Sequence, residues 1–416
     1  MARYYCATQQ PSSLRNVGSL SDKGTAVSLA KNIEFLRHLP KLDKISGLGR
    51  FHRSPGAGRA HSPLIETSRF GSNPGNLRML SFVPDGIPPK SGLVVVLHGC
   101  TQNARGYDAG AGWSTLAERY GFALLMPEQT ASNNANGCFN WFNPEDTIRG
   151  SGEALSIRQM IDHIVRKHGI DPRRIFVTGL SAGGAMTSVM LATYPEVFAG
   201  GAIIAGLPYG VASNVKEALS GMFQAPYRSH RELGDLVRRA SPHKGPWPKL
   251  SVWHGSADRT VNPVNADEII KQWLDVHGLP FLHMSEDMID GHPRKRWRNS
   301  EGQTAVESFT ISNMAHGTPL GIAESGERFG AEGAFLIEAG ISSSFHIANF
   351  FGLTGKIHKA RATAVATTAP ALEGVSNKKK KQSNAGGFGS RSRRGEGGID
   401  VNAVITRALT AAGLMK

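Results

Sequence analysis

Three cysteines in 416 residues cannot build a disulfide framework. Cys100 and Cys138 each fall in a loop after an expected strand, which leaves room for one bridge, and Cys6 is left over. No apolar run approaches the ~20 residues that cross a bilayer, so a membrane-spanning protein is not expected. The opening Met1-Ala2-Arg3-Tyr4-Tyr5-Cys6 has no apolar stretch leading to a small-residue cleavage site, and no secretory leader is expected from it. CxxC pairs, HExxH and clustered carboxylates are missing, which argues against a metal. No GxGxxG follows an expected strand to cradle a dinucleotide. No metal and no cofactor are expected. Nor is there an internal repeat.

The chain is basic, with a formal net charge of +14, but the charge is unevenly placed. Residues 67–355 hold 25 Lys+Arg against 26 Asp+Glu, whereas 1–66 hold 10 against 4 and 356–398 hold 10 against 2. A neutral centre excludes a basic groove across it and gives no reason to expect a specific nucleic acid. The basic ends suit either a solvated linker or contact with an anionic surface, such as a granule.

This distribution divides the chain. Residues 1–66 are expected to be a mostly disordered extension with one short amphipathic helix at 26–39. Residues 67–355 are expected to fold as a single domain. Residues 356–398, with Lys378-Lys379-Lys380-Lys381 and a Gly/Ser-rich run, have the composition of a disordered linker. Residues 399–416 form an amphipathic pattern behind Asp400, a good N-cap, and read as a C-terminal helix that folds back or docks elsewhere.

Within the domain, Leu93-Val94-Val95-Val96-Leu97 is a continuous aliphatic run of the kind buried on both faces of a parallel sheet. Helices at 113–120 and 153–168 then alternate with strands at 122–127, 174–178, 200–206, 250–254 and 305–311, and 340–352 closes as a helix. Such alternation predicts an α/β fold built on a doubly wound, mostly parallel sheet. Residues 77–83 suit an edge strand. Residues 207–248 break the rhythm and read as a helical excursion, either one wall of a cleft or an ordinary crossover with an extra helix.

One stretch carries chemistry. Arg174-Ile175-Phe176-Val177-Thr178 runs into Gly179-Leu180-Ser181-Ala182-Gly183 and on into a small-residue helical segment. That is the layout of a nucleophile elbow, a serine on a tight strand-to-helix turn whose glycines let backbone pass close by. A serine hydroxyl needs a base and a group to orient the base, and in this layout the acid and then the histidine follow in chain order. Asp258, just past the strand at 250–254, and His316, just past the strand at 305–311, meet that order. Asp258 also suits a turn, and His254, His283, His292 and His346 compete with His316, which alone combines a strand end with a small-residue loop. The candidate triad is Ser181, Asp258 and His316. Oxyanion donors are expected from the backbone N–H of Ala182 and from the His98-Gly99-Cys100 loop, with Cys100 N–H the favoured second donor.

Six segments occur together and in order: Leu97-His98-Gly99-Cys100-Thr101-Gln102, Cys138-Phe139-Asn140-Trp141-Phe142, Arg149-Gly150-x-Gly152-Glu153, Gly179-Leu180-Ser181-Ala182-Gly183-Gly184, Ala205-Gly206-Leu207-Pro208-Tyr209-Gly210 and His254-Gly255-x-x-Asp258. Over residues 68–355 the chain resembles the poly(3-hydroxybutyrate) depolymerase family of esterases, which includes feruloyl and acetylxylan esterases. The resemblance implies an α/β-hydrolase fold and ester hydrolysis through an acyl-enzyme. It places His98 at the oxyanion site and implies that Cys100 and Cys138 are bridged. It also implies an extracellular location, which the N-terminus does not support, leaving the cytoplasm as the alternative.

The leading expectation is a serine esterase acting on polyhydroxyalkanoate or its short oligomers, with Trp141 and Phe142 as candidates to line the acyl pocket. A feruloyl or acetylxylan esterase is the nearest alternative. A binding protein using its basic tails is the alternative from another class. Oligomeric state is not readable from the residues.

Overall fold

Every residue of Leu93–Leu97 is buried, and its side chains divide by parity. Leu93, Val95 and Leu97 enter one apolar cluster, while Val94 and Val96 enter another on the opposite side. The next buried strand, Ile175–Leu180, divides in the same way, with Ile175 and Val177 on the first side and Phe176 and Leu180 on the second. A pleated strand sends successive side chains to opposite faces, so continuous apolar runs need a helical layer on each face.

The computed structural model describes residues 62–224 and 228–358. The expected helices at 26–39 and 399–416, and the basic segments around them, lie outside the described residues. The strands are β1 (Ile65–Thr67), β2 (Arg78–Phe82), β3 (Leu93–Leu97), β4 (Ala123–Glu128), β5 (Ile175–Leu180), β6 (Gly200–Ile204), β7 (Lys249–Gly255), β8 (Ser285–Ile289), β9 (His292–Arg298), β10 (Thr304–Ile311), β11 (Thr318–Leu320) and β12 (Leu336–Glu338). The α-helices are α1 (Ala104–Ala111), α2 (Trp113–Tyr120), α3 (Pro144–Thr147), α4 (Gly152–His168), α5 (Ala182–Thr193), α6 (Val215–Phe223), α7 (His230–Ala240), α8 (Val264–His277) and α9 (Ser343–Phe350).

Ten strands form one sheet in the order β1-β2-β4-β3-β5-β6-β7-β10-β9-β8. The six from β4 to β10 run parallel, and β2, β1, β9 and β8 pair antiparallel at the two flanks. Helices α4, α5 and α8 cover the first face, and α1, α2 and α9 cover the second. The doubly wound, mostly parallel architecture is as expected. Because the central strands are parallel, their C-terminal ends form one rim, where α/β folds place their chemistry. Among the described residues, no helix is long and apolar enough to cross a membrane.

Two regions differ from expectation. The sheet already begins at Ile65, inside the segment read as extension, and 77–83 is covered by β1 rather than forming the edge. The β8–β9 hairpin was not expected, since its strands carry runs of charge instead of alternating apolar residues. Asp287 receives both Arg294 and Arg296 across the ladder, so ion pairing supplies much of its register. The excursion at 207–248 becomes α6 and α7, laid on α8. Gln272 of α8 accepts from Tyr209 N and donates to the Tyr209 and Leu233 carbonyls.

One buried acid makes stability depend on pH. Glu307 of β10 is 4% exposed and accepts from Ser251 Oγ. Burial pushes its pKa up from 4.5 to about 7, against the pull of Ser251 and nearby Arg294, Lys249 and Arg296. Between those values the unfolded chain releases the proton and the folded chain keeps it, so stability falls as pH rises through this window. At 1.36 kcal/mol per unit the whole effect is about 3 kcal/mol. Glu307→Gln removes it. In urea unfolding at pH 5 and pH 8, the stability difference should move toward the variant by about that amount at the higher pH. An unchanged difference would show that Glu307 is ionised throughout.

Candidate active site

Ser181 sits between β5 and α5 with φ 56° and ψ −118°, a conformation costly for a residue with a Cβ. Its N–H is held by Ile204 O at 2.9 Å, and its carbonyl accepts from Ala185 N at 2.8 Å. The two neighbouring glycines have a steric reason. A side chain at Gly183 would sit 2.2 Å from Leu97 O, and one at Gly179 would meet Gly183 backbone at 2.4 Å. The turn is so tight that strand and helix backbones touch.

Asp258 and His316 leave the adjacent parallel strands β7 and β10. Their loops are tied together by backbone bonds from Ser256 N to Ile311 O (2.9 Å) and from Ala257 N to Met314 O (3.0 Å). His316 Nδ1 donates to Asp258 Oδ2 at 2.7 Å, and both residues are buried. The other oxygen, Oδ1, accepts from Thr260 N and Val261 N at 2.8 and 3.0 Å. Asp258 is thus a turn-former through one oxygen and a histidine partner through the other. Burial alone would raise its pKa. The contacts from His254 and His316 outweigh that and hold the carboxylate far below its usual range.

With a proton on Nδ1, His316 Nε2 is the basic nitrogen and has no hydrogen bond of its own. The Ser181 hydroxyl likewise forms none, so the structure joins Asp258 to His316 but does not bond His316 to Ser181. Catalytic hydrogen bonds often tighten only around substrate.

The expected oxyanion loop separates by function. His98 is fully buried, and burial lowers its pKa. Its Nδ1 donates to Gly99 O and its Nε2 accepts from Gln129 N, so both ring nitrogens hold backbone. Gly99 N donates to Gln102 Oε1. That leaves Cys100 N–H and Ala182 N–H, neither of which has an acceptor among the described residues. Two free N–H groups, a serine on a strained turn and a histidine oriented by a carboxylate are the parts that acyl transfer uses.

The family described as Esterase PHB depolymerase matches residues 79–292. Poly(3-hydroxyalkanoate) depolymerase C of Paucimonas lemoignei is 46% identical over 293 residues, 70% of this chain and 70% of that protein. The chain belongs to the PHB depolymerase esterase family. It is a carboxylic ester hydrolase. An acetylxylan esterase of Coprinopsis cinerea is 32% identical over 263 residues, 62% of this chain and 69% of that one. Among solved structures, an acetyl xylan esterase from Aspergillus awamori has a TM-score of 0.59 at 25% identity, covering 70% of this chain and 99% of that one.

In this esterase Cys100 and Cys138 are disulfide-bonded across a sequence separation of 38. Closing a loop of that size contributes about 4 kcal/mol in chain-entropy terms. The bridge also fixes the residue that carries the free Cys100 N–H. Beside it Thr101 has φ 63° and its N–H is held by Asn136 O.

Glu153 explains the Arg149–Glu153 segment, to which sequence reading gave no role. It is fully buried and accepts from Gln129 Nε2, Asn140 Nδ2 and Asn140 N. Burial and the nearby Asp146 carboxylate raise its pKa well above the ordinary value. Through Gln129 it links the His98 ring to the 138–142 loop. Trp141 is 9% exposed and lies in the core cluster, while Phe142 is half-buried and edge-on to it at 5.6 Å. Of the two candidate pocket aromatics, Phe142 keeps more of its surface accessible.

His254, one of the competing histidines, has its Nε2 3.2 Å from Asp258 Oδ2. The available signal was the i,i+4 spacing in His254-Gly255-x-x-Asp258. A cavity of about 290 Å³ adjoins His254, lined also by Ile270, Trp297 and Lys295; neither Ser181 nor His316 lines it.

Proposed function

We propose that this esterase hydrolyses short-chain polyhydroxyalkanoate, or oligomers of it, through a Ser181–His316–Asp258 acyl-enzyme mechanism. Ser181 Oγ attacks the ester carbonyl while His316 Nε2 takes its proton. Asp258 holds the imidazole in the tautomer that leaves Nε2 free and stabilises the imidazolium. The carbonyl oxygen, now an oxyanion, accepts from Cys100 N–H and Ala182 N–H. Collapse breaks the ester C–O bond, and His316 returns the proton to the leaving hydroxyl. Water, deprotonated by the same nitrogen, then attacks the acyl-Ser181 and releases the acid.

The substrate class rests on one observation, the 46% identity to a poly(3-hydroxyalkanoate) depolymerase over 293 residues. A second reading, an esterase for acetyl or feruloyl groups, is favoured by the acetyl xylan esterase structure, 99% of which this chain covers. We also place the catalytic domain at residues 67–355 plus the β1 strand, and the protein outside the reducing cytoplasm, because the Cys100–Cys138 bridge needs an oxidising compartment to persist.

Initial rates on 3-hydroxybutyrate trimer, methyl ferulate and acetylated xylan test the substrate. The trimer should give a kcat/KM about tenfold or more above the others, the difference one well-made subsite supplies. A preference for ferulate or acetylxylan would replace the polyester reading and leave the mechanism in place.

A further inference from the structure

We propose that His254 is a positioning residue for Asp258, a clasp on the loop that carries it rather than a second base; this rests on the reading of Asp258 and His316 as catalytic partners. His254 is the penultimate residue of β7 and is 4% exposed. Its Nε2 donates to Val261 O at 2.9 Å, which spans the loop from the strand end to the far side of Asp258. A carbonyl only accepts, so the ring proton is on Nε2. Val261 N donates in turn to Asp258 Oδ1. Ring, loop and carboxylate close one circuit.

The same N–H edge lies 3.2 Å from Asp258 Oδ2, the oxygen that His316 uses. It therefore presents positive dipole to that oxygen and limits rotation of the carboxylate. Nδ1 is buried with no partner. A proton arriving at His254 has no onward acceptor, so the ring does not relay charge. Its work is geometric, and displacing a catalytic group by about 1 Å can cost on the order of 100-fold in rate.

Two variants of the full chain separate this from packing. His254→Phe keeps a planar ring and removes the N–H. His254→Gln offers an amide N–H of similar reach, with the neighbouring cavity giving it room. On p-nitrophenyl butyrate, well below each variant's Tm, the Phe variant should lose about tenfold or more in kcat with KM little changed. The Gln variant should recover most of that loss. In an Asp258→Asn background, His254→Phe should have almost no further effect on kcat, because the residue acts through Asp258.

A folded Phe variant with wild-type kcat overturns the proposal. Should that variant not fold, a folded Gln variant that loses kcat as Asp258→Asn does overturns it equally. Full activity in Asp258→Asn itself would instead remove the reading of the site on which the proposal stands.

Discussion

Ser181→Ala should abolish ester hydrolysis, with kcat falling by about 10⁴- to 10⁶-fold and the fold intact. The loss is large because no second nucleophile stands on the rim at that turn. The free N–H groups of Cys100 and Ala182 should leave a small residual rate above water, as donors act whatever attacks. The companion variant Ser181→Gly should lose activity as fully and yet gain stability, by roughly 1 kcal/mol, because φ 56° and ψ −118° cost a residue with a Cβ far more than glycine. Turnover of p-nitrophenyl butyrate and urea unfolding measure the two effects. An alanine variant retaining even a hundredth of wild-type turnover would show that the strained serine is not the nucleophile.

Asp258→Asn is the second severe case, with an expected loss in kcat/KM of about 10³- to 10⁴-fold. Its origin is the wrong tautomer rather than a lost fold. The asparagine carbonyl oxygen can still accept from Thr260 N and Val261 N and keep the turn. Its amide nitrogen then faces His316 Nδ1, donor against donor. The ring relieves this by moving its proton to Nε2, the nitrogen that must be bare to take the Ser181 proton. Raising the pH should not restore the rate, since no titration returns the acceptor. The variant should stay folded, and circular dichroism with kinetics across pH 6–9 checks both points. Recovery at high pH would mean that Asp258 acts only through its charge.

Much of this site was legible in the residues because parallel α/β sheets write it plainly. Buried runs such as Leu93–Leu97 are hydrophobic at every position, and each ends where a functional loop begins. Ser181 follows a run of that kind, while Asp258 and His316 follow β7 and β10, buried strands that also carry Ser251, His254, Glu307 and Ser308, and the two free N–H groups are those of Cys100 and Ala182. What was not legible is held by polar contact rather than by pattern. The β8–β9 hairpin depends on Asp287 with Arg294 and Arg296, and hydropathy does not register ion pairs. Asp258 resembled an ordinary turn residue because it is one, through its other oxygen. His98 was expected at the oxyanion, but its ring points into backbone partners and shapes the loop from behind. Glu153 and Gln129 work in the same way across residues distant in sequence.

The order of strands in the sheet also governs when this enzyme comes into being. Ser181, Asp258 and His316 follow β5, β7 and β10, whose parallel pairings with β3, β6 and β7 each join strands far apart in sequence, although β10 also pairs with β9 across a short turn. Parallel neighbours are non-local contacts, whose loop-closure entropy is spent before any pairing energy returns. During synthesis or refolding, the serine turn can form well before the histidine has anywhere to stand. The proposed site is complete only once β10 has paired with β7, so turnover cannot appear before that pairing forms.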